Sequence, residues 1–98
     1  DSAGQVGIGG PIALGVGSDP STLANYAHIY AKDDSGSAEV FVRDEAGNVT
    51  KISPHNEQGE WEFYTQNTTT GKTFRVNMER MIRKLEEFTG ERFIQDEK

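Results

Sequence analysis

The stretch Ala38-Glu39-Val40-Phe41-Val42-Arg43-Asp44-Glu45-Ala46-Gly47-Asn48-Val49-Thr50-Lys51-Ile52 decides the fold class. Its first six residues are rich in β-branched and aromatic side chains, which fit a pleated surface better than a helix. Asp44 to Asn48 then offers Asp, Gly and Asn within five positions, the residues that turn a chain. Val49 to Ile52 returns. Two apolar runs around a turn of this kind read as a β-hairpin.

The same pattern spreads outward. Upstream, Tyr26 to Lys32 alternates, with Tyr26, His28 and Tyr30 on one face and Ala27, Ile29 and Ala31 on the other. Asp33-Asp34-Ser35-Gly36-Ser37 is a loop. Downstream, Ser53 to Gly59 is a second loop. Trp61 to Thr65 reads as a strand with Trp61 and Phe63 on one face. Gln66 to Gly71 turns the chain. Thr73 to Val76 is the partner strand of a second hairpin, with Phe74 and Val76 expected inward.

The spacing predicts one helix, from an Asn77 cap to a stop at Gly90. Glu79 falls in the first turn, and Arg83 and Lys84 lie toward the end, as the helix dipole favours. Met78, Met81, Ile82, Leu85 and Phe88 form an apolar stripe. A helix of about 12 residues is marginal alone in water, so it must dock. Two seats are open to it: its own sheet, or the seam of a short bundle in which Met78, Ile82, Leu85 and Thr89 follow steps of four and three. Phe93 and Ile94 form a small apolar anchor in the tail.

Residues 1–20 have another texture. Val6 and Ile8 alternate with Gln5, Gly7 and Gly9, and Ile12 and Leu14 with Ala13 and Gly15, which is strand periodicity. Glycine weakens an isolated strand and often marks close approach of another backbone. The arm is therefore expected to be ordered by neighbouring chains, against the alternative of a plain linker. The domain reading is a Gly-rich arm over 1–20 and a small β module with its helix over 21–98.

Composition sets limits on function. The chain has 98 residues, 34% of them hydrophobic, and 11 glycines. A domain of this size buries little of its surface, and association supplies what a small core lacks. A net charge of −6 disfavours nucleic acid and anionic membranes as partners. No cysteine is present, which removes disulfides and thiolate chemistry. The chain opens on Asp1 rather than Met, so a piece of a longer protein is expected.

Chemical motifs are weak. Gly71-Lys72-Thr73 has the end of a phosphate loop, but Gln66 stands where the first glycine is needed and strands flank it. No Gly-x-Gly-x-x-Gly opens a helix. His28 and His55 lack metal-ligand spacing, although His55, repeated about a threefold axis, is a candidate for an axial ion. Asp33, Asp34, Asp44, Glu45, Glu57 and Glu60 read as a solvated acidic face, without the spacing of a calcium loop. Asn48-Val49-Thr50 and Asn67-Thr68-Thr69 have the form of glycosylation sequons. No catalytic, cofactor or metal residue is assigned, and no enzymatic activity is expected.

The opening Asp1-Ser2-Ala3-Gly4-Gln5-Val6-Gly7-Ile8-Gly9 resembles a segment found in bacteriophage tail-fibre and related appendage proteins just before a terminal domain. Pro20 to Lys32 and Ala38 to Asn48, with their Asp-x-x-Gly-x turn, are similar to small β modules of phage structural proteins. The terminal helix looks like one that closes some of these chains. The resemblance implies an intertwined homotrimer on a virion, a viral structural protein with a role in host attachment. The fold expected from the residue patterns is mainly β with one C-terminal α-helix, a Gly-rich extended arm and two antiparallel hairpins. Some such fibres end in a self-cleaving chaperone with a Ser-Asp motif followed by Arg and Lys. Here Ser18-Asp19 is followed by Pro20 and Ser21, so that peptidase is not carried over.

Two roles compete. One is a trimerisation cap, whose interface would use Val6, Ile8, Ile12, Leu14, Met78, Met81, Ile82, Leu85 and Phe88. The other is a receptor-binding tip, in which Tyr26, Tyr30, Trp61 and Tyr64 would stack on a host-surface glycan or contact a protein.

Overall fold

In the computed structural model, which describes residues 4–96, the chain after the arm runs through five strands and one helix. The strands are β1 (His28–Asp34), β2 (Ser37–Arg43), β3 (Asn48–Lys51), β4 (Glu62–Asn67) and β5 (Thr73–Asn77). Helix α1 spans Met78–Thr89. The strands form one antiparallel sheet in the order β1-β2-β3-β4-β5. The two expected hairpins are thus parts of one meander, joined where Val49 of β3 pairs with Gln66 of β4. Asp1-Ser2-Ala3 of the arm and residues 97–98 of the module lie outside the described residues.

Turn chemistry accounts for the hairpins. The Asp44 carboxylate accepts from the Asn48 backbone N–H at 2.8 Å and from its side-chain amide at 2.9 Å. Gly47 takes φ = 89°, a left-handed conformation that glycine adopts without strain. Its carbonyl accepts from the Thr68 N–H and hydroxyl, which ties the β2–β3 turn to the β4–β5 turn. The Asn67 amide donates to Asn48 Oδ1 at 2.8 Å. Both sequon asparagines are therefore engaged in turn structure.

Register sorts the side chains into two faces. Tyr30 pairs with Phe41, Phe41 with Lys51, and Arg43 with Val49. Tyr64 pairs with Arg75. These residues, with Lys32, Asp34 and Glu62, lie on one face. Ile29, Val40, Val42, Thr50, Phe63, Thr65, Phe74 and Val76 lie on the other, because alternate residues of a strand point to opposite sides.

The expectation that Phe74 points inward is corrected. Phe74 is 51% exposed and Phe63 is 43% exposed. The protected face is the opposite one, where Phe41 and Val49 are buried together with Arg43, Lys51 and Glu62. The reason is coverage. After Val16, the arm bridges the outer edge of β1 at Ala31, and Gly17 N–H donates to Ala31 O at 2.9 Å. Asp19 and Thr22 then reach side chains of the mixed-polarity face. On the apolar face Ala31 is buried at the β1 edge beside the Val16 bridge, whereas Ile29, Phe63 and Phe74 stay exposed.

Among the described residues, the arm forms no strand within one chain beyond the single Val16–Ala31 bridge. Residues 4–18 are exposed throughout. The radius of gyration is 17.0 Å, against about 13 Å for a compact chain of this size.

Candidate functional site

Three elements leave apolar surface open: the arm, the apolar face of the sheet, and α1. The helix is the most informative. Asn77 caps it, its side chain accepting from Arg80 N–H. Gly90 closes it in a left-handed conformation, with its N–H on Glu86 O. Both caps fall where the sequence puts them. Arg83 and Lys84, however, stand short of the last turn, which carries no basic residue.

The orientation of α1 runs against its amphipathicity. The side turned toward the rest of the chain carries Glu79, Ile82, Arg83 and Glu86, all half-buried. Glu86 accepts from the backbone N–H groups of Phe93 and Ile94, and Arg83 donates to Asp96 at 2.9 Å. The C-terminal tail thus folds back along the charged side. Trp61, Ile82 and Ile94 share a cleft there. The centre of the apolar stripe faces away, with Met81 at 51%, Leu85 at 48% and Phe88 at 91% exposure. An apolar groove of about 480 Å³ runs along Met81, Ile82, Lys84, Leu85 and Phe88. No helix residue is buried.

Docking on its own sheet therefore accounts for little of the stripe. The helix meets the sheet mainly at β4, and Trp61 O, just before that strand, accepts from the N–H groups of Met78 and Glu79. The outward seam follows Met81, Leu85 and Phe88, steps of four and three, while Met78 is half-buried. Ile82 lines both this groove and the cleft beside Trp61 and Ile94, and Thr89 is exposed.

The other expected interface residues lie on the arm. Val6, Ile8, Ile12 and Leu14 are all exposed, from 38% at Leu14 to 86% at Val6. They do not meet the helix stripe within one chain. The four candidate stacking aromatics are also not gathered. Tyr30 and Tyr64 flank Phe41, with centroids 6.0 and 6.3 Å from its ring. Tyr30 donates to Asp19 at 2.7 Å, and Arg75 covers Tyr64 at 4.4 Å. Trp61 stands at the joint between sheet and helix, and Tyr26 lies exposed in the segment before β1. His55 is exposed and bridges Trp61.

A buried ionic cluster has no counterpart in the sequence reading. Lys51 Nζ lies 2.6 Å from Glu62 Oε2 and 2.9 Å from Asp34 Oδ2, and also donates to His55 O at 2.7 Å. Arg75 completes the cluster on Glu62. Burial pushes the Lys51 ammonium down, but the hydrogen bonds from Lys51 to Glu62 and Asp34 outweigh this, and its pKa is raised. Beside it, burial pushes the Asp19 carboxyl up, yet the bonds from Tyr30 and Lys32 bring it below the usual aspartate value. The signal for the cluster lay in the strand register. Lys51, Glu62 and Arg75 fall on one face only after β3, β4 and β5 are aligned.

Among the described residues, no helix is long and apolar enough to cross a membrane. Comparison with family models, curated proteins and solved structures gives no match for this chain.

Proposed function

We propose that this chain is a structural trimerisation cap: the C-terminal part of a fibre-like appendage, which holds three copies in register. The observation that carries this reading is the outward stripe of α1. A 12-residue helix needs tertiary packing, yet the centre of its apolar face, at Met81, Leu85 and Phe88, is left largely open. The sparse core agrees. Ala31, Phe41 and Val49 are the buried hydrophobic residues among those described, while many large apolar side chains remain open. Open apolar surface on this scale marks an interaction site. A homotrimer on a virion, with the arms continuing into a shaft, fits both features and the tail-fibre resemblance.

Register supplies the functional need. Gly-rich strands specify their pairing weakly. A module that associates first raises the local concentration of the arms. Sedimentation equilibrium of the whole chain tests this reading. A trimer mass that persists on dilution to micromolar concentration is expected, and a folded monomer would sink the cap.

A second reading, a receptor-binding tip, rests on the cleft beside Trp61, where Glu79, Arg83 and Asp96 place polar groups around an exposed indole. A monomer that binds a host-surface glycan, and loses binding on Trp61→Ala, would favour it.

A further inference from the structure

We infer that α1 of one copy seats on the open apolar sheet face of a second copy, so that the assembly is a closed ring of helix-on-sheet contacts. This rests on the homo-oligomeric reading and names the surface that the helix takes.

Both halves of such a contact are present on each chain and do not meet there. The sheet has an open face centred on the row Val42, Thr50, Thr65 and Phe74. Thr50 and Thr65 hydroxyls lie 3.1 Å apart at its middle and share a hydrogen bond, so covering this centre leaves only one hydroxyl proton to be met by the covering surface. A sheet with one apolar face is completed by a second layer, and a helix stripe is one of the few shapes that supplies it. The chain has one helix among its described residues, and that helix has an open stripe.

The connection prevents α1 from covering its own sheet. β5 ends at Asn77 and α1 begins at Met78, with no residue between them. The joint is locked. The Asn77 amide donates to Glu60 at 2.9 Å, the Asn77 oxygen caps the helix, and Trp61 O receives the first helical N–H groups. A helix that reversed over its own sheet would need a loop here. The helix of another copy needs none.

Size and charge fit. Twelve helical residues span about 18 Å at 1.5 Å each. Five strands span about 19 Å at the usual spacing. The chain is acidic overall, so identical copies repel, and their contact needs a neutral or complementary patch. Asp33 is the one charged side chain on the open face, while Lys84 lines the groove of the helix stripe. The row Val42, Thr50, Thr65 and Phe74 itself carries no charge, so a helix stripe can seat on it without like-charge repulsion. A contact between two different patches on identical chains is heterologous, and it closes into a ring when the rotation allows. Three copies match the proposed cap.

The absence of cysteine makes the test clean. Leu85→Cys, Thr65→Cys and the double variant are treated in their native assemblies with a short bismaleimide, then run on a denaturing gel. The expected result is covalent oligomers up to the trimer from the double variant and none from either single variant. Cross-linking by Leu85→Cys alone would show helix packed against helix, overturning this inference while leaving the trimer intact. A native trimer with no cross-link in any variant would also overturn it. A native monomer would remove both the inference and the cap. Met81→Cys with Thr50→Cys gives a second pair, read in the same way, if a first variant does not fold.

Discussion

Lys51 Nζ sits 2.6 Å from Glu62 Oε2 with both side chains buried, while Phe63, the next residue after Glu62, is 43% exposed. Charges are inside and an aromatic ring is outside on the same strand. The proposed helix-on-sheet assembly would give that apolar face a surface to cover it. The ionic cluster itself holds the module together on the other side.

Lys51→Met tests that cluster. Removing one member of a buried pair leaves an uncompensated charge and costs about 3–5 kcal/mol. Glu62 keeps Arg75, which places the expected loss toward the lower end of that range. Urea unfolding reads it directly. A loss below about 1 kcal/mol would mean that water reaches the cluster freely.

The same region sets an alkaline limit. The Lys51 pKa is raised above its ordinary value of 10.5, so its contribution is complete below that value and is lost as pH rises through the folded pKa. Tyr30 acts in the same direction. Burial and the bond to Asp19 hold its hydroxyl protonated well above the ordinary tyrosine value of 10.0. The unfolded chain therefore loses this proton first. Urea midpoints are expected to be flat from pH 7 to 9 and to fall above about pH 10. Tyr30→Phe should flatten part of that fall.

Gly47→Ala is expected to destabilise by more than about 1 kcal/mol. Gly47 has φ = 89°, and an added Cβ would stand 2.8 Å from Thr68 Oγ1. Alanine at a positive φ is strained, and here it is crowded as well. Because the turn lies away from α1, the native mass should be unchanged. Thermal melting and sedimentation separate the two effects.

Leu85→Asp should dissociate the assembly while preserving the β signal in circular dichroism. The side chain is 48% exposed in one chain, so the fold of the single module gains little from it. Leu85→Ala should make melting more concentration-dependent, with a loss of about 2–5 kcal/mol if assembly buries the position fully. An unchanged mass and melting point for both variants would remove α1 from the interface.

Removing residues 1–15 should leave the sheet intact. Extending the deletion through Asp19 should loosen it further, since Asp19 holds Tyr30 at 2.7 Å and Lys32 at 3.0 Å. Hydrogen exchange at β1 should rise only for the longer deletion. Equal protection in both truncations would show that Asp19 is dispensable.

Much of the local structure was legible in the sequence because it is decided within a few residues. Asp44 and Gly47 make their turn, Asn77 and Gly90 bound the helix, and the β-branched runs become strands. The sequence by itself settled a mainly β chain with one C-terminal helix and an arm poor in side chains. The tertiary structure decided three other matters: that the hairpins share one sheet, that the face of Phe41 and Lys51 is covered while that of Phe74 is open, and that α1 turns Leu85 outward. Periodicity states which residues share a face, but it does not state which face is covered. Coverage depends on contacts between distant segments, Asp19 with Tyr30 and Asn77 with Glu60, whose geometry exists only once the chain has folded.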